Sequence, residues 1–107
     1  MTKKFNEAEE VFAGQLIDEG IVFVREYLFI PGRKYRADFA FNKIIVEING
    51  GTWMQKSGHS TALGIKRDYE KSNVAQLAGF MYLQFIPDEV YNSVAINTLK
   101  QALEVNK

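Results

Sequence analysis

Two carboxylates interrupt apolar, strand-like segments of this chain. Along residues 35–41, a period of two puts Arg36, Asp38 and Ala40 on one face and Ala37, Phe39 and Phe41 on the other. From 44 onward, Ile45, Glu47 and Asn49 share a face, with Ile44, Val46 and Ile48 opposite. Asn42-Lys43 has the length of a two-residue hairpin connection, and a hairpin centred there sets Asp38 across from Glu47. Facing carboxylates repel by roughly 0.2 to 1 kcal/mol or more, so a compensating charge or proton is required. Three arrangements meet that demand: a shared proton, a Lys or Arg side chain, or a hard divalent cation such as magnesium, which prefers oxygen ligands. The plain alternative to a metal site is a structural ion pair with Arg36 or Lys71, and the two acids by themselves favour neither.

Other residues bear on that choice. Glu9 lies on a helical stripe with Phe5, Phe12 and Leu16, which turns a third carboxylate toward the sheet, although Asn6 followed by Glu9 is also a capping pair. Glu26, beside Arg25 in a strand of uncertain phase, reads as surface. His59, the sole histidine, stands among small residues in Ser57-Gly58-His59-Ser60-Thr61. It is either a solvated loop side chain or a general base near neutral pH. Lys66, Arg67, Asp68 and Lys71 fall within the opening of a helix. Beside a carboxylate cluster, such cations neutralise a phosphate or its transition state. Arg33, Lys34, Arg36 and Lys56 add positive charge near the ends of the acidic strands, and Trp53 offers a loop aromatic that can stack on bases. The pattern suits a polyanion whose backbone rides on cations while one phosphate meets a metal held by acids.

These residues need a scaffold. The 107 residues carry 13 Lys+Arg, 13 Asp+Glu and no Cys, with 47% hydrophobic side chains, which fits one domain spanning 1–107 and excludes disorder as its main state. Without cysteine there are no disulfides, thiolate metal sites or thiol nucleophiles, and zero formal net charge gives no global attraction to nucleic acid. No apolar run approaches the roughly 20 residues of a membrane span, so the expectation is a cytoplasmic protein without a membrane partner. Helical spacing predicts helices over 6–19, 65–78 and 88–105. Aromatic and β-branched runs predict strands over 22–29, 35–41, 44–48 and 80–86, and the unpatterned stretch 52–64 reads as a long loop. The order is αβββαβα, an α/β fold with a mixed four-stranded sheet flanked by helices.

Taken in order, the helix Glu9-Glu10-Val11-Phe12, then Arg25-Glu26-Tyr27-Leu28-Phe29, Arg36-Ala37-Asp38-Phe39-Ala40-Phe41, Val46-Glu47-Ile48-Asn49-Gly50-Gly51-Thr52-Trp53, Gly58-His59-Ser60 and Arg67-Asp68-Tyr69-Glu70-Lys71-Ser72-Asn73 form a recognisable set. It resembles the PD-(D/E)XK nuclease superfamily, in its very-short-patch-repair-like branch of small bacterial endonucleases and phage homing nucleases. The resemblance covers about residues 5–86 and implies a restriction-endonuclease-like domain that hydrolyses DNA phosphodiester bonds. Magnesium is the implied cofactor, with manganese as a substitute. Asp38 would be its central ligand and Glu47 would hold the second acid position. His59 would be the base that activates water or its close helper, with Glu9 and Asp68 completing the site. Asn49 stands where the family usually has lysine, so Lys71, Lys66 or His59 would have to take over that role. DNA is the implied partner, contacted by Arg33, Lys34, Arg36, Trp53, Lys56, Lys66 and Arg67. A second copy of the chain, or a larger phage or bacterial partner, would supply specificity. Two further functions fit the same residues: a nuclease-fold module that binds DNA or protein without cutting, and a homodimeric nuclease of branched recombination intermediates.

Overall fold

The computed structural model describes residues 7–49 and 62–106; for 62–65, 67 and 68 it describes the backbone alone. Its elements are α1 (Glu7–Asp18), β1 (Val24–Leu28), β2 (Arg36–Phe41), β3 (Ile44–Ile48), α2 (Ala62–Leu77), β4 (Met81–Phe85), α3 (Pro87–Tyr91) and α4 (Val94–Val105). One sheet runs in the order β1-β2-β3-β4. The first three strands form an antiparallel meander and β4 lies parallel to β3, with α2 as the crossover. This is the mixed α/β architecture expected from the residue pattern.

Helices cover both faces of the sheet. On one, α1, α3 and α4 enclose the larger core: Phe12 and Leu16 of α1, Phe39 and Phe41 of β2, Ile44, Val46 and Ile48 of β3, and Leu99 of α4. The Phe12 ring meets Phe39 edge-on at 5.1 Å, and fully burying each such ring contributes about 1.5 to 3 kcal/mol. The smaller cluster joins Phe29, Ala37, Ala40 and Ile45 to Ala75 of α2. Both α1 and α2 end alike. Gly20 and Gly79 take φ of 71° and 92°, which lets Ile21 N–H reach Leu16 O and Phe80 N–H reach Ala75 O, each at 3.0 Å, before the chain turns into the next segment.

Two boundaries depart from the sequence reading. The expected loop over 52–64 ends earlier, because α2 begins at Ala62; residues 50–61 lie outside the described residues. The single helix expected over 88–105 is two. Asn92 Oδ1 accepts the Val94 N–H at 3.0 Å and Ser93 adopts φ 72°, so a short polar side chain takes the amide a continuing helix would have used. Among the described residues no helix is long and apolar enough to cross a membrane.

Candidate metal centre

Strand pairing sets three acids in one row. Phe39 pairs with Val46 and Ala40 with Ile45, so Asp38 falls opposite Glu47 as the two-residue hairpin requires. On the other side Arg25 pairs with Phe39 and Tyr27 with Ala37, so Glu26 falls opposite Asp38. Neither position continues the regular ladder. Glu26 has φ 55°, a left-handed conformation rare for a side chain other than glycine or asparagine, and Asp38 Oδ2 accepts the Ile48 N–H at 2.8 Å. A carboxylate thus takes the place of a backbone acceptor where β2 and β3 part.

The helix stripe delivers a fourth acid. Ala8, Glu9, Phe12, Ala13 and Leu16 form the buried face of α1, so the Phe12–Phe39 contact fixes Glu9 one turn away over the same strand. Glu9, Glu26 and Asp38 each bring a carboxylate oxygen within 4.8 Å of the other two. At an effective dielectric of about 20, two unit charges at that separation repel by about 3.5 kcal/mol, so positive charge is needed. Two arginines flank the group. Arg25 Nη2 lies 3.8 Å from Glu9 Oε1 and 3.1 Å from Glu10 Oε2, with its guanidinium 5.1 Å above the centre of the Phe39 ring. Arg36 Nη1 lies 3.5 Å from Glu26 Oε1.

The donor set fits a hard divalent ion. An ion about 2.0 to 2.1 Å from each oxygen holds them roughly 3 to 4 Å apart, so the three carboxylates need only a small inward movement. Glu47 is placed otherwise. Its carboxylate accepts a hydrogen bond from Lys71 Nζ at 2.6 Å, and the same ammonium donates to Arg36 O at 2.7 Å, tying α2 to β3 and β2. Burial pushes the Glu47 carboxyl above the usual carboxylate range. Lys71 pulls the other way, the charge of Asp38 adds to the rise, and the Tyr82 hydroxyl opposes it. The positive group that the Asp38–Glu47 pairing demanded is, on the Glu47 side, Lys71.

Among the expected site residues, the structure therefore brings Glu9 to Asp38, and Glu47 to Lys71. Arg33 stacks on Tyr35, its carbon 4.7 Å above the ring, and lies 3.9 Å from Glu70; Lys34 and Lys66 are exposed. Trp53, Lys56 and His59 lie outside the described residues, as do the side chains of Arg67 and Asp68. Asn49, in the expected lysine place, donates its backbone N–H to Phe85 O at 2.8 Å and its amide to Gln84 Oε1 at 3.3 Å. Glu26 is the acid that sequence reasoning left at the surface. No sequence signal marks it: its place follows from the register of β1 against β2, in which Arg25 lies across from Phe39.

No family model matches the chain, and no curated relative does. Among solved structures it is similar to the catalytic domain of the homing endonuclease I-Bth0305I, with a TM-score of 0.65 over 94% of this chain and 92% of that one, at 20% identity. The likeness defines the class of fold. This chain shares the fold of that domain, and its acid cluster draws on α1, β1 and β2.

Proposed function

We propose that this protein is a magnesium-dependent endodeoxyribonuclease of the PD-(D/E)XK type, in the very-short-patch-repair-like branch, with manganese able to substitute. The observation that carries this reading is the convergence of Glu9, Glu26 and Asp38 oxygens within 4.8 Å on a homing-endonuclease fold. A divalent ion held there supplies Lewis acidity toward a phosphate oxygen and lowers the pKa of water in its coordination shell.

The chain's own residues do the rest. Asp38 is held by the Ile48 amide, and Glu9 is buried beside Arg25, so two of the three ligands are preorganised. Lys71, fixed between Glu47 and Arg36 O, directs an ammonium toward the acid row and takes the place of the lysine missing at Asn49. It orients the attacking water and offsets charge that develops on the phosphate. His59 accepts the proton of that water, or assists the group that does, and Asp68 completes the site; both assignments rest on the motif resemblance. Lys34 and Lys66, together with Arg33, Lys56 and Arg67, contact the DNA backbone, while Trp53 stacks on a base.

Plasmid nicking tests this. Supercoiled DNA is expected to be cut in magnesium or manganese, and left intact in EDTA or by Asp38→Ala. Cutting that survives either change overturns the proposal. Intact DNA after long incubation, with binding unaffected by magnesium, would instead identify a binding module. A preference for branched over linear substrates would identify a nuclease of recombination intermediates.

A further inference from the structure

The two arginines beside the acid cluster are held very differently. Arg25 is 23% exposed and engaged in three directions: by Glu9, by Glu10 and by the face of Phe39. Arg36 is 53% exposed and its guanidinium makes a long 3.5 Å contact with Glu26. Its backbone, by contrast, is fixed, since Arg36 pairs with Leu28 in the sheet and its carbonyl accepts from Lys71 Nζ at 2.7 Å. The main chain cannot move away from the cluster, whereas the side chain can swing with little loss, because exposed ion pairs contribute little.

We propose that Arg36 is an exchangeable counter-ion of the cluster. It neutralises Glu26 while the acids hold no divalent ion, leaves when the ion arrives, and then pairs with a DNA phosphate. This rests on the reading of Glu9, Glu26 and Asp38 as metal ligands. A doubly charged ion at their centre takes over the Glu26 carboxylate and repels the guanidinium. The fork of N–H donors so released matches a phosphate, to which arginine binds bidentately. Metal and DNA then bind cooperatively through one side chain, and each strengthens the other by the same factor. Arg36 is thus a positioning residue that couples the two ligands. Arg25, pinned by its three neighbours, keeps Glu9 in place throughout.

Calcium titration of the full chain by calorimetry, followed by fluorescence anisotropy on a labelled duplex, tests the exchange. Arg36→Gln is expected to bind calcium about two- to five-fold tighter than wild type, the factor that corresponds to losing an exposed ion pair. Lys100→Gln, which removes the same charge from a surface pair with Glu19, just past the end of α1 opposite to Glu9, is expected to leave calcium affinity unchanged. For wild type, the dependence of duplex affinity on salt should steepen by about 0.9 on a log–log scale when calcium is saturating, the mark of one added phosphate contact. Arg36→Gln should lack that increment. Calcium affinity unchanged in Arg36→Gln, or an increment that persists, overturns the exchange. If wild type binds no calcium, or Asp38→Asn binds it as well as wild type, the metal reading itself fails and the exchange with it.

Discussion

Replacing Lys71 with methionine keeps most of the side chain's volume and removes its ammonium. In the folded protein that group lies 2.6 Å from Glu47 and 2.7 Å from Arg36 O, with 18% of the Lys71 side chain and 14% of the Glu47 side chain exposed. Breaking a fully buried pair by deleting one partner costs about 3 to 5 kcal/mol, while an exposed pair is worth about 1 kcal/mol or less. This pair, mostly but not fully buried, falls between the two classes and nearer the buried one, so Lys71→Met is expected to cost about 2 to 3 kcal/mol, or roughly 10 to 20 °C in Tm for a domain of this size. The cost should depend on pH. The Glu47 carboxyl already titrates above its ordinary value of 4.5, so its stabilising contribution is full below that value and is lost as pH rises through the folded one. Without Lys71 the folded value climbs further and the loss deepens. The gap between wild type and Lys71→Met is therefore expected to be small near about pH 4, where a neutral carboxyl needs no ammonium, and wide near about pH 7. Urea unfolding at both pH values, in a double-mutant cycle with Glu47→Gln, measures it. Equal costs at the two pH values, with the double mutant equal to the sum of the singles, would refute the reasoning.

The left-handed backbone at Glu26 separates strain from ligation. Glu26→Gly is expected to be more stable than Glu26→Ala by about 1 kcal/mol, since only the alanine retains the strained conformation, while both lose calcium affinity. Urea midpoints and calcium titrations of the two variants check both halves; a glycine variant less stable than the alanine one would mean the conformation is not strained. At the junction of α3 and α4, Ser93→Gly relieves φ 72° in the same way and should raise stability by up to about 1 kcal/mol, read as a higher Tm, with nicking activity unchanged.

What could be read in the sequence follows from how tightly each feature is tied to neighbours along the chain. The two-residue connection at Asn42-Lys43 leaves one register for β2 and β3, so the opposition of Asp38 and Glu47 was legible. Glu9 was legible too, because Phe12 and Leu16 declare which side of α1 is buried. Glu26 was not. The connection over 29–35 permits many registers, and no glycine or asparagine announces the left-handed residue that aims its carboxylate at Asp38. The partner of Glu47 was readable only as a short list of candidates. Choosing Lys71 required knowing how α2 lies across the sheet, a contact 24 residues away along the chain. The break at Asn92-Ser93 was missed because apolar spacing continues through it, while the deciding interaction is a side-chain hydrogen bond that periodicity does not encode.

The kink at Glu26 also bears on how the molecule meets its own kind. β1 forms one border of the sheet among the described residues, and Val24, Tyr27 and Leu28 are exposed along it. A straight border with those side chains would invite a foreign strand to zip on, the usual route to aggregation. The left-handed residue in mid-strand throws successive amides out of line, so the conformation that recruits a carboxylate to the cluster also leaves the border a poor template for further strands.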